Sequence, residues 1–147
     1  MDVKELLIVQ LEANFGILQK NLDGITESES LYFPETGGNS LNWVLGHIIY
    51  SRNLLLEMLG NKGMWDNSYN TYNRGANPKE KIADFKTLSD LKSLLSKSQN
   101  KLIATLKNLE ITSDELKPVT FLVFHEIYHS GQIGYIRRIL GKKGAIK

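Results

Sequence analysis

Residues 118–140 read PVTFLVFHEIYHSGQIGYIRRIL, and the fold turns on how this run folds. Its apolar residues recur three or four apart, Pro118 suits a first helical turn and Gly141 suits a C-terminal cap, so the spacing predicts a helix over about 119–140. Upstream, LNWVLGHIIYSRNLLLEML (41–59) is apolar almost all round, with Ser40 placed as N-cap and Gly60 closing it. A helix of that kind is normally buried on several sides.

Working outward, Leu7, Leu11, Phe15, Leu18 and Leu22, with Asp2 as cap, predict a helix over 3–23. Thr87 followed by Asp90 resembles a capping box, and Leu88, Leu91, Leu95, Leu102, Leu106 and Leu109 predict another over 88–109. The stretch SESLYFPETGGNS (28–40) reads as a loop ending at Ser40. NKGMWDNSYNTYNRGANPKEKIADFK (61–86) has weak periodicity and three aromatics, Trp65, Tyr69 and Tyr72; long loops of this kind are functional or disordered. No strand pattern or repeat interrupts the series. Four helices of about 20 residues predict an all-α four-helix bundle, one domain over 1–147. The short link into the last helix favours antiparallel neighbours there. The 61–86 segment is long enough to cross the bundle and leave the second and third helices parallel.

Composition narrows the function. Charged residues make up 23% of the 147 and nearly balance at +2, with no run of like charges before Arg137, Arg138, Lys142, Lys143 and Lys147. A nucleic-acid binder carries a stronger, more clustered basic footprint, and cations in a last helical turn complement the helix dipole. The chain has no cysteine, so disulfides, thiolate ligands and a cysteine nucleophile are excluded, and thiol chemistry would need a thiol from a cosubstrate. MDVKELLIVQLEANFGILQK reads neither as a signal peptide nor as a membrane span, which makes a soluble cytoplasmic protein with no membrane partner the expectation.

All three histidines lie in the strongly apolar helices. His125 and His129 are about 40° apart on one helix face and can reach a common ion at about 2.0–2.1 Å, with Phe121, Leu122, Gln132 and Ile136 on the same side. His47 shares its face with Trp43, Tyr50, Ser51, Leu54 and Met58, an aromatic and apolar wall. Separate core histidines would each need polar partners that the last helix hardly offers. The pattern therefore points to one divalent ion on His47, His125 and His129, with open positions of the catalytic kind. His125-Glu126-Ile127-Tyr128-His129 also matches H-E-x-x-H, in which the glutamate is the base of a zinc protease. Against a protease, residues 130–147 hold no His, Asp or Glu to act as a downstream ligand. Glu126 then reads either as a base for water at the ion or as an exposed polar residue. Gln132 reads as the residue that orients a histidine or the substrate. Gly131 and Gly134 suggest close approach by another helix, in the chain or from a second subunit, or simple local tolerance.

On NSLNWVLGHI (39–48), HEIYHSGQ (125–132) and the helix order, the chain resembles the DinB-like (YfiT-like) superfamily. The resemblance implies an up-down-down-up bundle, frequent dimers, zinc or nickel at the three histidines, and the thiol transfer or thiol-dependent isomerisation of some members. One departure is Ser130, where the family often has arginine, so any anion contact made there is in doubt. The resulting expectation is a metal-dependent enzyme of thiol-transferase or hydrolase type, acting on a small molecule with a low-molecular-weight thiol. The competing expectation is a non-catalytic module in which the ion locks two helices. A homodimer is expected from the apolar second helix and the glycine side of the last, and the Trp65, Tyr69 and Tyr72 segment reads either as the cover of a bound molecule or as surface loop.

Overall fold

The Asp2 carboxylate accepts from the Glu5 amide at 2.8 Å, and the Glu5 carboxylate accepts from the Asp2 amide at 2.9 Å, which starts the first helix where predicted. This helix, α1, is Val3–Leu22; α2 is Glu27–Ser30, α3 is Leu41–Met58, α4 is Leu88–Asn108 and α5 is Ser113–Ile139. The computed structural model describes residues 2–75 and 77–146, and the described residues contain no strand. Lys147, counted above in the basic C-terminal segment, lies outside them.

Three expectations change. The last helix starts at Ser113 rather than 119, because Thr112 and Glu115 form a capping box ahead of the proline. Pro118 thus sits inside α5, where its missing amide would have met the exposed Asp114 carbonyl, which water can satisfy. A second capping box, Thr26 with Glu29, winds α2 at the entrance to the predicted 28–40 loop. The 61–86 segment folds into two 3-10 helices, Asn67–Tyr72 and Pro78–Asp84. Where Gly60 and Gly141 were expected to end helices, both adopt positive φ (78° and 77°), and the next amides reach back to Leu56 O and Arg137 O.

α5 packs between α1 and α3, and α4 closes the other side against the same two helices. Contacts between α1 and α5 advance together, from Asn14 with Glu126 to Asn21 with Arg137. Those between α3 and α5 run oppositely, with His47 beside His129 and Leu55 and Leu56 clustered with Val119 and Val123. Leucines fill the interior; Leu18, Leu41, Leu45, Leu56, Leu91, Leu102 and Leu106 are all essentially inaccessible, each contributing about 1.5–3 kcal/mol by burial. α3 consumes nearly all its apolar surface within the chain; only Leu54 and Met58, at 43% and 63% exposure, face outward. Two of the C-terminal cations are tied to the chain: Arg137 donates to the carbonyls of Asn21, Asp23 and Lys143, and Lys142 pairs with Glu29 at 3.1 Å.

Candidate metal centre

The site is built from Gly46 upward. An added Cβ there would lie 2.2 Å from the Tyr72 ring, so glycine lets that ring lie directly on α3. Tyr72 is fully buried, its hydroxyl donating to Asn42 Oδ1 at 3.1 Å and accepting from the Lys86 amide at 2.7 Å; burial holds the phenol well above its usual range. Pinned this way, the Tyr72 carbonyl accepts from His47 Nδ1 at 2.7 Å. Trp43, one turn before His47, stacks on the imidazole at 4.8 Å and 9°, and its indole N–H donates to the Thr71 carbonyl at 3.0 Å. The segment entering from 67–72 therefore fixes His47 from behind.

On α5, His129 Nδ1 donates to Gln132 Oε1 at 2.7 Å. With Nδ1 protonated on both rings, His47 and His129 turn unprotonated Nε2 atoms inward. His125 Nε2 lies 3.2 Å from one and 3.0 Å from the other. One atom from each histidine lies within 4.8 Å of the other two. Burial lowers all three imidazole pKa values; for His125 burial, then the charges of His129 and His47, bring it to about 4. At neutral pH these are three uncharged rings, and His125 has at most one hydrogen to offer two facing lone pairs.

That donor set fits a divalent cation. Nitrogens held about 2.0–2.1 Å from a tetrahedral zinc are about 3.3 Å apart; His125 Nε2 stands at 3.2 and 3.0 Å from the other two, and the set as a whole lies within 4.8 Å. His47 and His129 are 7% and 9% exposed, while His125 is more open. Phe121 stacks on His125 and Tyr128 meets His129 edge-on at 5.1 Å; both aromatics are more than half exposed and mark the accessible side.

Glu126 is corrected on one expectation and recast on the other. It is 1% exposed, not on the surface, and both its oxygens are engaged. Arg52 Nε and Nη2 donate to Glu126 Oε2 and Oε1, each at 2.6 Å, and Asn14 Nδ2 donates to Oε1 at 2.9 Å. Arg52 Nη1 reaches Ser98 Oγ at 3.0 Å and the Leu95 carbonyl at 3.3 Å. The carboxylate is thus held among Arg52 and Asn14, whatever its part at the histidines. This network joins α1, α3, α4 and α5, and sequence reasoning missed it; the available signal was one arginine within an otherwise apolar helix.

Of the wall expected around His47, Trp43 is present, Leu54 and Met58 point to solvent, and Ser51 donates to the His47 carbonyl at 2.9 Å. Gly134 faces the Asn21 side chain on α1, 3.3 Å from an added Cβ, so close approach there occurs within the chain, whereas Gly131 is open. Ser130 is buried, and its hydroxyl has no hydrogen-bond partner among the described residues. Trp65 and Tyr69 stack at 4.3 Å and pack on the core. Tyr72, fully buried, buttresses His47 through its carbonyl.

A helical protein with three inward-facing imidazoles between two antiparallel neighbours defines a class of candidate metal-binding bundle. Residues 10–133 match the family model of the DinB superfamily, and the chain belongs to that superfamily. No curated protein matches it. Its fold matches the crystal structure of a conserved protein from Enterococcus faecalis with a TM-score of 0.77 at 18% identity, over 97% of this chain and 99% of that one. At that identity the likeness concerns fold alone.

Proposed function

We propose that the protein is a metal-dependent enzyme of thiol-transferase or hydrolase type, with zinc or nickel on His47, His125 and His129. The observation that carries this reading is the convergence of three uncharged imidazole nitrogens, two of them fixed lone pair inward by Tyr72 O and Gln132 Oε1. A divalent ion held there would supply Lewis-acid charge that favours ionisation of a thiol or water at its open positions. The chain's own part is to hold and orient: Trp43 and Tyr72 fix His47, and Gln132 fixes His129. With no cysteine in the chain, a nucleophilic sulfur comes from a small molecule. The directions of the helix contacts support an up-down-down-up bundle with its crossover through 61–86, and we read the chain as one cytoplasmic domain. No described helix is long and apolar enough to cross a membrane.

The alternative is a non-catalytic module in which the ion only locks α3 to α5. The exposed Phe121 beside His125 and Tyr128 beside His129 favour the enzyme, since a purely structural site is normally closed. A homodimer remains our reading of assembly, now motivated by Phe124, Ile127 and Tyr135 exposed on α5 rather than by α3. Untagged protein should contain close to one divalent ion per chain, and His47→Ala, His125→Ala or His129→Ala should each remove most of it. Metal-loaded protein, given an electrophilic acceptor and a panel of cellular thiols, should form conjugates that His125→Ala does not. Peptide cleavage instead would favour the protease, and inactivity with a sealed site would favour the structural module.

A further inference from the structure

We propose that the exposed stripe of α5 is the seam of a homodimer in which two copies of this helix lie antiparallel along their whole length, Asp114 of each chain meeting Arg138 of the partner subunit. This rests on the homodimer reading above, to which it gives a surface and a direction, and it is independent of the metal. Phe121, Phe124, Tyr128, Gly131 and Tyr135 follow one another by three and four residues in alternation, the spacing of a helix that winds on a second helix. The four aromatics are 59% to 69% exposed, while α1 and α3 pack on other sides of α5. Gly131 is open: an added Cβ would meet nothing within 4 Å, so no neighbour in the chain calls for glycine there. Carried to the helix ends, the same spacing takes in Lys117 and Asp114 at the start and Arg138 at the finish. All three are exposed, with no ion-pair partner among the described residues.

The occupant that matches this stripe is the stripe itself, reversed. α5 runs from Ser113 to Ile139, so its midpoint is Glu126. A copy turned end for end about that point brings 114 opposite 138, 117 opposite 135, 121 opposite 131 and 124 opposite 128. Each pairing is complementary: a carboxylate meets a guanidinium, an ammonium meets a phenol ring, a phenyl ring meets the open glycine, and a phenyl ring meets a phenol. The overlap is about 40 Å long and sets the two helix dipoles against each other favourably. A parallel copy would instead stack Asp114 on Asp114, Arg138 on Arg138 and Gly131 on Gly131. Because Phe121 stacks on His125 and Tyr128 meets His129, the seam runs beside the accessible side of the three imidazoles. The partner subunit's Phe124, packed on Tyr128, then forms an edge of that opening.

Sedimentation equilibrium on the full chain measures the dimer, and the absence of native cysteine lets single cysteines report its direction. Phe124→Glu puts a charge into the seam from both copies and should weaken association at least about hundredfold. Met58→Glu, at an exposed apolar residue of α3, should leave it unchanged. Asp114→Arg and Arg138→Asp should each weaken it about tenfold, more at low salt, and the two together should restore it. Lys117→Cys mixed with Tyr135→Cys and oxidised with diamide should give chiefly the mixed disulfide, because each cysteine lies about 27 Å from its own copy in the antiparallel pair. A monomer at tens of micromolar overturns the homodimer reading and this proposal with it. A dimer that survives Phe124→Glu, or whose single-cysteine variants link to their own copies, overturns the antiparallel seam and leaves the homodimer reading standing.

Discussion

The same two helices, α3 and α5, hold two polar constellations that differ in kind. Between Arg52 and Glu126 every inward polar group finds a partner: two bonds between the charges, one from Asn14, two more to α4. Between His47, His125 and His129 the outward nitrogens of His47 and His129 are satisfied and the inward ones oppose each other. A buried network that closes on itself serves the fold, whereas three ring nitrogens that converge with at most one hydrogen among them are arranged for something outside the chain. Breaking one should therefore leave the other's signature intact.

The largest expected effect is on stability at the closed network. Arg52→Ala or Glu126→Ala strands a buried charge and should cost about 3–5 kcal/mol in urea denaturation. Replacing both, as Arg52→Met with Glu126→Leu, should recover most of that loss, because an apolar pair needs no partner. His47→Ala in the metal-free protein should cost much less and still abolish stoichiometric metal. If His47→Ala destabilised the metal-free chain as much as Glu126→Ala, the contrast between the two constellations would fail.

Gly46→Ala joins the two regions and should show a middle effect. The new methyl meets a ring that is itself fully buried, so overpacking of about 1–3 kcal/mol is expected. Displacing Tyr72 also moves the carbonyl that orients His47, so metal affinity should fall too, by competition with a chromophoric chelator. Gln132→Ala should separate the two: affinity about tenfold weaker, with the urea midpoint nearly unchanged.

Much of this was legible in the sequence because it is local or periodic. The four long helices followed from leucine spacing and from Asp2, Ser40 and Thr87 as caps, and the histidine set followed from two apolar helices carrying all three imidazoles. What escaped depends on partners far apart in the chain. Glu126 is 100° from His125 on an ideal helix, which left base and surface as the open readings; only the fold brings Arg52, Asn14 and Ser98 around it. The need for glycine at 46 likewise depends on Tyr72, 26 residues downstream, whose ring lies on α3 there. The start of α5 was misplaced because Pro118 is a stronger visual signal than the Thr112 and Glu115 pair that actually caps it.

The smallest expected effect is a pH slope in the metal-free protein. Folding lowers the pKa of His47, His125 and His129 from 6.5, burial being the leading cause in each, and His125 falls to about 4. As pH drops through 6.5 the unfolded chain takes up protons at these rings while the folded chain still excludes them. The unfolded state then binds more protons, so stability declines with falling pH, beginning near 6.5 and continuing towards 4. Thermal melts without metal should therefore show a Tm that decreases from pH 7 to pH 5, with a shallower slope in His125→Ala. Saturating zinc should raise Tm at pH 7, and the gain should shrink at pH 5, where protons compete with the ion for the same Nε2 atoms. A flat Tm over this interval in the metal-free wild type would mean that the three rings are more solvated than their packing against Trp43, Phe121 and Tyr128 implies.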